Sequence, residues 1–199
     1  VGSGGDKVQL DQRDPASIEH ASESVVDRLG GLDILVNNAA WNIGIPYPDL
    51  DALDSETWAR VHETNLRGPY LLARSLAPAL KAGSGGAIVN IASTAGIAPG
   101  GSSIAYACSK AGLIHLTKCL AVALAPHVNV NCVAPGLVEG TRMADRLPEA
   151  SANRARTQAV LGRVGDAEDV ALQTLAFCTA PTVTGQTIAI DGGMPGAMR

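Results

Sequence analysis

The sequence predicts an α/β fold, a doubly wound parallel sheet in one domain. Three observations predict it. Short apolar runs at 32–36, 87–91, 128–133 and 186–190 alternate with longer segments of helical period. The first two runs have the near-continuous apolar character of strands buried on both faces of a parallel sheet. Helix-start and helix-stop residues punctuate the segments between them, so the chain reads strand, helix, strand, the pattern of a sheet wrapped on both faces.

Taken in order, residues 7–10 read as a short extended run ending at Asp11. Asp14-Pro15-Ala16 opens a helix, with Asp as N-cap and Pro at the first helical position. Its apolar face is Ile18, Ala21, Val25 and Leu29, and Gly30-Gly31 stops it. A buried strand at 32–36 leads into a loop at 37–53. Asp54 is the expected N-cap of a helix over 55–81, and Pro69 predicts a kink or break near Gly68. The strand at 87–91 precedes a nearly uncharged helix over 104–125. A helix apolar all round is expected to be buried. The strand at 128–133 ends at Pro135-Gly136. Residues 142–161 read as mobile, partly helical material, a substrate loop within the single domain 1–199. A helix over 166–178 and a strand at 186–190 finish the fold, with no internal repeat and no low-complexity linker.

Composition excludes several functions. Of the 199 residues, 46% are hydrophobic and 17% charged, ordinary for a globular protein and wrong for a disordered one. Aromatics are only 3%, so the core must be aliphatic. A net charge of −4 argues against a basic face for nucleic acid. The longest apolar stretch, 113–125, is broken by His115, Thr117 and Lys118, which argues against a membrane partner, and no signal peptide is visible. Cys108, Cys119, Cys132 and Cys178 form no C-x-x-C pair, so no metal is expected. They read as reduced thiols of a cytoplasmic protein, mostly core residues.

The strongest chemical signal is Tyr106-Ala107-Cys108-Ser109-Lys110. A Tyr and a Lys four apart on a helix share one face. A neighbouring ammonium favours phenolate, lowers the phenol pKa and suits the Tyr to proton transfer. Alone the pattern also fits a surface helix pair. Ser93 follows the strand at 87–91, thirteen residues before Tyr106. In a doubly wound sheet that is where a ligand-facing hydroxyl belongs, although Ser93-Thr94-Ala95-Gly96 also reads as a turn.

These residues carry a resemblance. Ile88-Val89-Asn90-Ile91-Ala92-Ser93 followed by Tyr106-x-x-x-Lys110 resembles the active site of the classical short-chain dehydrogenase/reductase family. Asn37-Asn38-Ala39-Ala40 resembles its N-N-A-G turn, and Asn65 in Asn65-Leu66-Arg67-Gly68 its helix asparagine. Pro135-Gly136 matches its P-G turn and Asp191-Gly192-Gly193 its C-terminal D-G-G. The matches run in order from about Asp11 to Gly193.

The resemblance implies an NAD(P)-dependent oxidoreductase that moves a hydride between nicotinamide and a carbonyl or secondary alcohol. Tyr106 would exchange the proton with the substrate oxygen, and Ser93 would hydrogen-bond that oxygen. Lys110 would hold the nicotinamide ribose and lower the Tyr106 pKa. Asn65 would hold a relay water. Two preplaced hydroxyl donors suit the charge that builds on a carbonyl oxygen. Cofactor contacts implied are Asp11 against adenine, Asn37 and Ala39 in the turn, Tyr106 and Lys110, Pro135, Gly136, Val138 and Thr141. Gln12 stands where the family has an apolar residue. Thr141 lies six after Pro135, where the family spacing is five. His20, His62, His115 and His127 pair with nothing. Trp41 and Tyr47 either shape the substrate mouth or pack the loop.

The family opens with a strand and a glycine-rich T-G-x-x-x-G-x-G turn that seats the pyrophosphate at a helix N-terminus. Gly2-Ser3-Gly4-Gly5 does not match it and reads as the loop before the third strand. The first two β-α units, each on the order of 25 to 30 residues, are absent from the sequence. Val1 is therefore expected not to be the natural start. The residue that separates NAD from NADP lies in that region, so the cofactor is NAD or NADP. Ile97, Leu137, Met143 and Leu147 suggest a mostly apolar substrate wall, suited to a medium-sized, 3-oxoacyl-like carbonyl compound. The resemblance also implies a homotetramer or dimer built on the helices at 55–81 and 104–125. The alternative is a catalytically silent relative that binds a nucleotide or a protein. An extended epimerase-like relative would carry a larger C-terminal substrate region than the six residues after Gly193.

Overall fold

The computed structural model describes residues 7–83, 85–141, 144–146 and 149–197. Helix α1 (Pro15–Leu29) starts where Asp14 accepts a hydrogen bond from Ala16 N (3.0 Å) and ends at Gly30, whose φ of 70° is left-handed. Strand β1 (Ile34–Asn37) follows. Asp54 accepts from Thr57 N (2.7 Å) to start α2 (Ser55–His62). The break expected near Gly68 takes the form of a π-helical turn, Glu63–Arg67, after which α3 (Gly68–Ala82) resumes with Pro69 in its first turn.

Strand β2 (Gly86–Ile91) leads through a 3₁₀ turn, Thr94–Gly96, to α4 (Ile104–Leu124). Then come β3 (Val128–Pro135), β4 (Val138–Glu139), a 3₁₀ turn at Ala144–Arg146 and α5 (Glu149–Gln158). Strand β5 (Gly165–Asp166), α6 (Ala167–Thr179) and β6 (Thr187–Ile190) complete the order. Asp166 and Asp169 cap α6 reciprocally, each carboxylate accepting the other's backbone N–H.

The main sheet is parallel throughout, in the order β1-β2-β3-β6. Alternate residues of the central strands face opposite layers. Ile88 and Val130 join Leu72, Leu76, Leu80 and Leu120 in the core under α3 and α4, and α1 packs outside α3 through Ile18. Val89 and Val133 meet Phe177 of α6 on the other face. This is the doubly wound layering expected. It brings the carboxyl ends of β1, β2, β3 and β6 to one lip, because Asn37 aligns with Asn90, Asn90 with Cys132, and Pro135 with Ile190.

Several expectations change. Residues 7–10 are not a strand. No described strand runs beside them, and an extended segment without a backbone partner makes no ladder. A cavity of about 310 Å³ separates Val8 and Leu10 from β1 and α1. Strand β1 is not buried on both faces either: Ile34 is 45% and Val36 40% exposed, because β1 is the sheet's edge. Helix α4 is long and apolar enough to cross a membrane by composition, but it packs one face on β3 and β2. It is buried on that face only, since Cys108, Cys119 and Val122 are exposed. The thiols are free; Cys132 is buried in the core, Cys178 packs half-buried against it, and Cys108 and Cys119 are exposed. The short β4–β5 ladder was not legible in the sequence. Arg142, Met143 and Leu147, expected at the substrate wall, lie outside the described residues, as do residues 1–6.

Candidate active site

The site begins at the end of β2. Beyond Ile91 the backbone stays extended to Ser93, whose hydroxyl accepts from Ala95 N (3.1 Å) and caps the 3₁₀ turn. That bond uses only an acceptor position, so the Ser93 proton is free to be donated. The turn then folds onto α4. A Cβ on Gly96 would stand 2.6 Å from the Lys110 carbonyl carbon and 2.7 Å from Ala111 N. Only glycine permits that approach, which fixes the distance between Ser93 and the helix.

Helix α4 starts at Ser103, which is fully buried and accepts from Tyr106 N (3.2 Å). Tyr106 and Lys110, one turn apart, share the buried face, and the Lys110 ammonium lies 5.7 Å from the Tyr106 ring centre. Lys110 Nζ donates to Ile91 O (2.8 Å). Burial pushes the Lys110 ammonium down to about 8, while neighbouring Cys132 acts the other way. Burial pushes the Cys132 thiol up to about 11, so it stays uncharged.

The Tyr106 phenol departs from expectation. Burial raises its pKa, and the Ser93 hydroxyl beside it works in the opposite direction without cancelling the effect. The expected lowering by Lys110 does not dominate, because the ammonium is spent on the Ile91 carbonyl and the phenol is dry.

Asn65 sits in the π-helical turn, wholly buried. Its Oδ1 accepts from Trp41 N (2.8 Å), and its Nδ2 donates to Trp41 O (2.9 Å) and Ser109 Oγ (3.1 Å). Ser109 in turn donates to Tyr106 O (2.7 Å). Asn65 therefore clamps the loop after β1 to α4; both Nδ2 donors are used, while Oδ1 accepts one bond and keeps a second lone pair. Ser103, Ser109 and Gly96 escaped the sequence reading. The N-cap position of Ser103 and the Tyr-x-x-Ser-Lys spacing were the signals for the first two.

The expected cofactor residues divide. Asn37, Pro135 and Gly136 stand on the common lip of the sheet. The buried Asn37 donates to Asn90 Oδ1 (2.8 Å), and Asn90 donates to Thr117 Oγ1 (2.9 Å). Asn37 Oδ1 is buried with no partner among the described residues. Gly136 is pressed against Asp191, which a Cβ would approach to 2.7 Å. Ala39 is exposed in the turn after β1. Val138 pairs with Gly165 in the β4–β5 ladder. Thr141 donates to Val138 O (2.8 Å) and accepts from Ala144 N (3.2 Å), so its hydroxyl is engaged locally. Asp11 is gripped by Arg13 (2.9 and 3.1 Å), which lowers its pKa. An unpartnered buried acceptor, a glycine lip, an ammonium and a phenol on one edge fit a dinucleotide's hydroxyl and amide groups. The described residues contain no cluster of metal-ligating side chains.

The surroundings of Leu137, a residue expected in an apolar substrate wall, are more polar than expected. Leu137 lines a cavity of about 280 Å³ together with Glu139, Asp145, Glu149 and Arg156. Arg156 bridges Glu139 (2.6 Å) and Glu149 (3.0 Å), fastening α5 to β4.

A parallel α/β sheet with Ser, Tyr and Lys gathered at its carboxyl lip puts these side chains where ligands bind in a doubly wound fold. Comparison with known proteins agrees. The family model described as enoyl-(acyl carrier protein) reductase matches residues 2–195. The 3-oxoacyl-[acyl-carrier-protein] reductase FabG of Thermotoga maritima is 38% identical over 193 residues, 95% of this chain and 76% of that protein. A Burkholderia xenovorans protein assigned to the short-chain dehydrogenase/reductases superposes with a TM-score of 0.84 at 35% identity, over 94% of this chain and 74% of that one. ElxO with NADP bound superposes at 0.85 and 28% identity, over 94% and 77%. The chain belongs to the short-chain dehydrogenase/reductase family and is an NAD(P)-dependent oxidoreductase.

Proposed function

We propose that Ser93, Tyr106, Lys110 and Asn65 are the catalytic set, and that the substrate is a 3-oxoacyl-like carbonyl compound. The observation that carries this is the Ser93 hydroxyl beside the Tyr106 phenol at the end of β2, with the Lys110 ammonium behind them. Bound nicotinamide supplies the hydride chemistry. Tyr106 Oη donates its proton to the substrate oxygen, and its raised pKa keeps that proton in place at neutral pH. Ser93 Oγ donates to the same oxygen, so two fixed donors meet the developing charge. Lys110 would hold the ribose hydroxyls of the bound cofactor by exchanging its bond to Ile91 O for them. A relay water near Asn65 would be held by the second lone pair of Asn65 Oδ1 or by the main chain, since both Nδ2 protons are already donated.

Asn37, Ala39, Pro135, Gly136 and Val138 would hold NAD or NADP along the lip. Asp11 would reach adenine by sharing its carboxylate with Arg13, and Thr141 would meet nicotinamide through the second lone pair of its hydroxyl or by releasing Val138 O. The likeness to FabG supports the substrate class. The exposed Val122 of α4, with Trp58 and Tyr70 of α2 and α3, supports a homo-oligomer built on these helices. The free thiols accord with a cytoplasmic protein.

The test is oxidation of NADH or NADPH, followed by absorbance, with a 3-oxoacyl thioester. Tyr106→Phe should lower kcat by roughly 10²-fold or more, and Ser93→Ala should do the same to a smaller degree. Retention of kcat within about threefold in Tyr106→Phe, far below the usual effect of losing a general acid, would remove Tyr106 from the proton-transfer role.

A further inference from the structure

Tyr47 lies in the loop after β1, remote in sequence from Tyr106, yet the two are linked through residues 97–103. The Tyr47 hydroxyl donates to Gly100 O (2.6 Å) and accepts from Gly100 N (2.9 Å), a two-bond grip on one residue. Beside it, Ile45 N donates to Ser102 O (2.8 Å). Gly101, between these anchors, has a φ of +84° and lies flush on the catalytic ring. A Cβ there would stand 3.1 Å from Tyr106 Cδ1 and 2.9 Å from Ala95 Cβ. At the far end of the segment Ser103 caps α4 through Tyr106 N. Tyr106 is 6% exposed.

We propose that Tyr47 is a positioning residue for the reaction: its hydroxyl pins Gly100, and so holds Gly101 as a cover over the edge of the Tyr106 ring. This rests on Tyr106 being the proton donor. The cover keeps water from the phenol and fixes where its Oη points, and both matter to a proton transfer that tolerates little misplacement. Few other groups face the phenol. The 3₁₀ turn contributes Ser93, and α4 itself contributes Lys110. The π-helical turn packed on α4 presents the neutral Asn65, while its Glu63 and Arg67 pair with each other at the surface (3.8 Å). Water reaching the ring edge is therefore the change that loosening would bring, and it acts against the burial that holds the phenol pKa up.

Tyr47→Phe keeps the ring and removes both bonds to Gly100. In carbonyl reduction Tyr106 must be protonated, so activity falls as pH rises through its pKa. In Tyr47→Phe that alkaline limb of kcat/KM should move down by about 0.5–1 in pH, and kcat at neutral pH should fall about threefold to tenfold. The control is Gly100→Ala, where a Cβ meets nothing within 4 Å and both backbone groups remain; its profile should match the parent. A second reading needs no catalysis. Tyrosinate absorbance during alkaline titration of Tyr47→Phe/Tyr70→Phe reports Tyr106 alone, and its midpoint should lie below that of the last ionisation in the Tyr70→Phe control. An unmoved limb and an unmoved titration, or an equal shift in Gly100→Ala, would overturn the proposal. A moved titration with full activity in Tyr106→Phe would keep the cover and remove instead the proton-donor role on which it was built.

Discussion

The buried Lys110 ammonium makes a prediction about stability that is separate from catalysis. Lys110 is 2% exposed, and its pKa falls from 10.5 to about 8 because burial penalises the charge. A folded-state pKa depressed in a lysine means that folding is opposed while the group must be charged. The penalty is fully present below about 8 and disappears as pH rises past the unfolded value of 10.5. The difference corresponds to about 3 kcal/mol at neutral pH. Lys110→Met keeps the unbranched stem and removes the charge. It also leaves Ile91 O without its donor, which costs about 1 kcal/mol. The variant should therefore be about 2 kcal/mol more stable than the parent at pH 7 in cofactor-free buffer. The advantage should vanish near pH 10 and reverse slightly above it. Cys132 does not disturb the comparison over most of this range, since its thiol is pushed up to about 11. The assay is urea unfolding at pH 7, 9 and 10.5, with linear extrapolation. A variant less stable than the parent at pH 7, or a difference independent of pH, would refute the argument that burial governs Lys110. Activity should be lost in the same variant, so the residue would be one that catalysis retains at the expense of stability.

Two further predictions concern how the site is held. Gly96→Ala drives a Cβ into the Lys110 backbone at 2.6 Å, so the 3₁₀ turn and α4 must separate. The expected cost is about 1–3 kcal/mol in thermal melts, with activity falling further than stability because Ser93 moves away from Tyr106. A variant as active as the parent would contradict the claim that this contact sets their spacing. Asn65→Ala strips partners from Trp41 N, Trp41 O and Ser109 Oγ at once. It should destabilise by about 2–4 kcal/mol and shift Trp41 fluorescence, and an unchanged unfolding midpoint would argue against the clamp.

Much of this protein was legible in its sequence, for local reasons. Asp14, Asp54 and Asp166 start helices because a short carboxylate satisfies backbone N–H groups two or three residues away, and Gly30 ends one because it accepts a positive φ. The apolar runs of β2 and β3 stated their burial directly, and helical spacing alone put Tyr106 and Lys110 on one face. Ser93, Tyr106 and Lys110 were found as candidates from pattern and resemblance together.

Tertiary structure decided what depends on neighbours. The segment 7–10 has the composition of a strand and is not one, since a strand exists only through its partner. Strand β1 looked buried and is an open edge for the same reason. The pKa order at the site could not be read from a Tyr-x-x-x-Lys spacing, which carries the attraction between two charges but not the burial that outweighs it. Tyr47, Gly96, Ser103 and Ser109 became part of the site only when the chain folded. Each acts through a contact whose partner the sequence does not mark, and whose geometry arises from packing the loops after β1 and β2 against one helix.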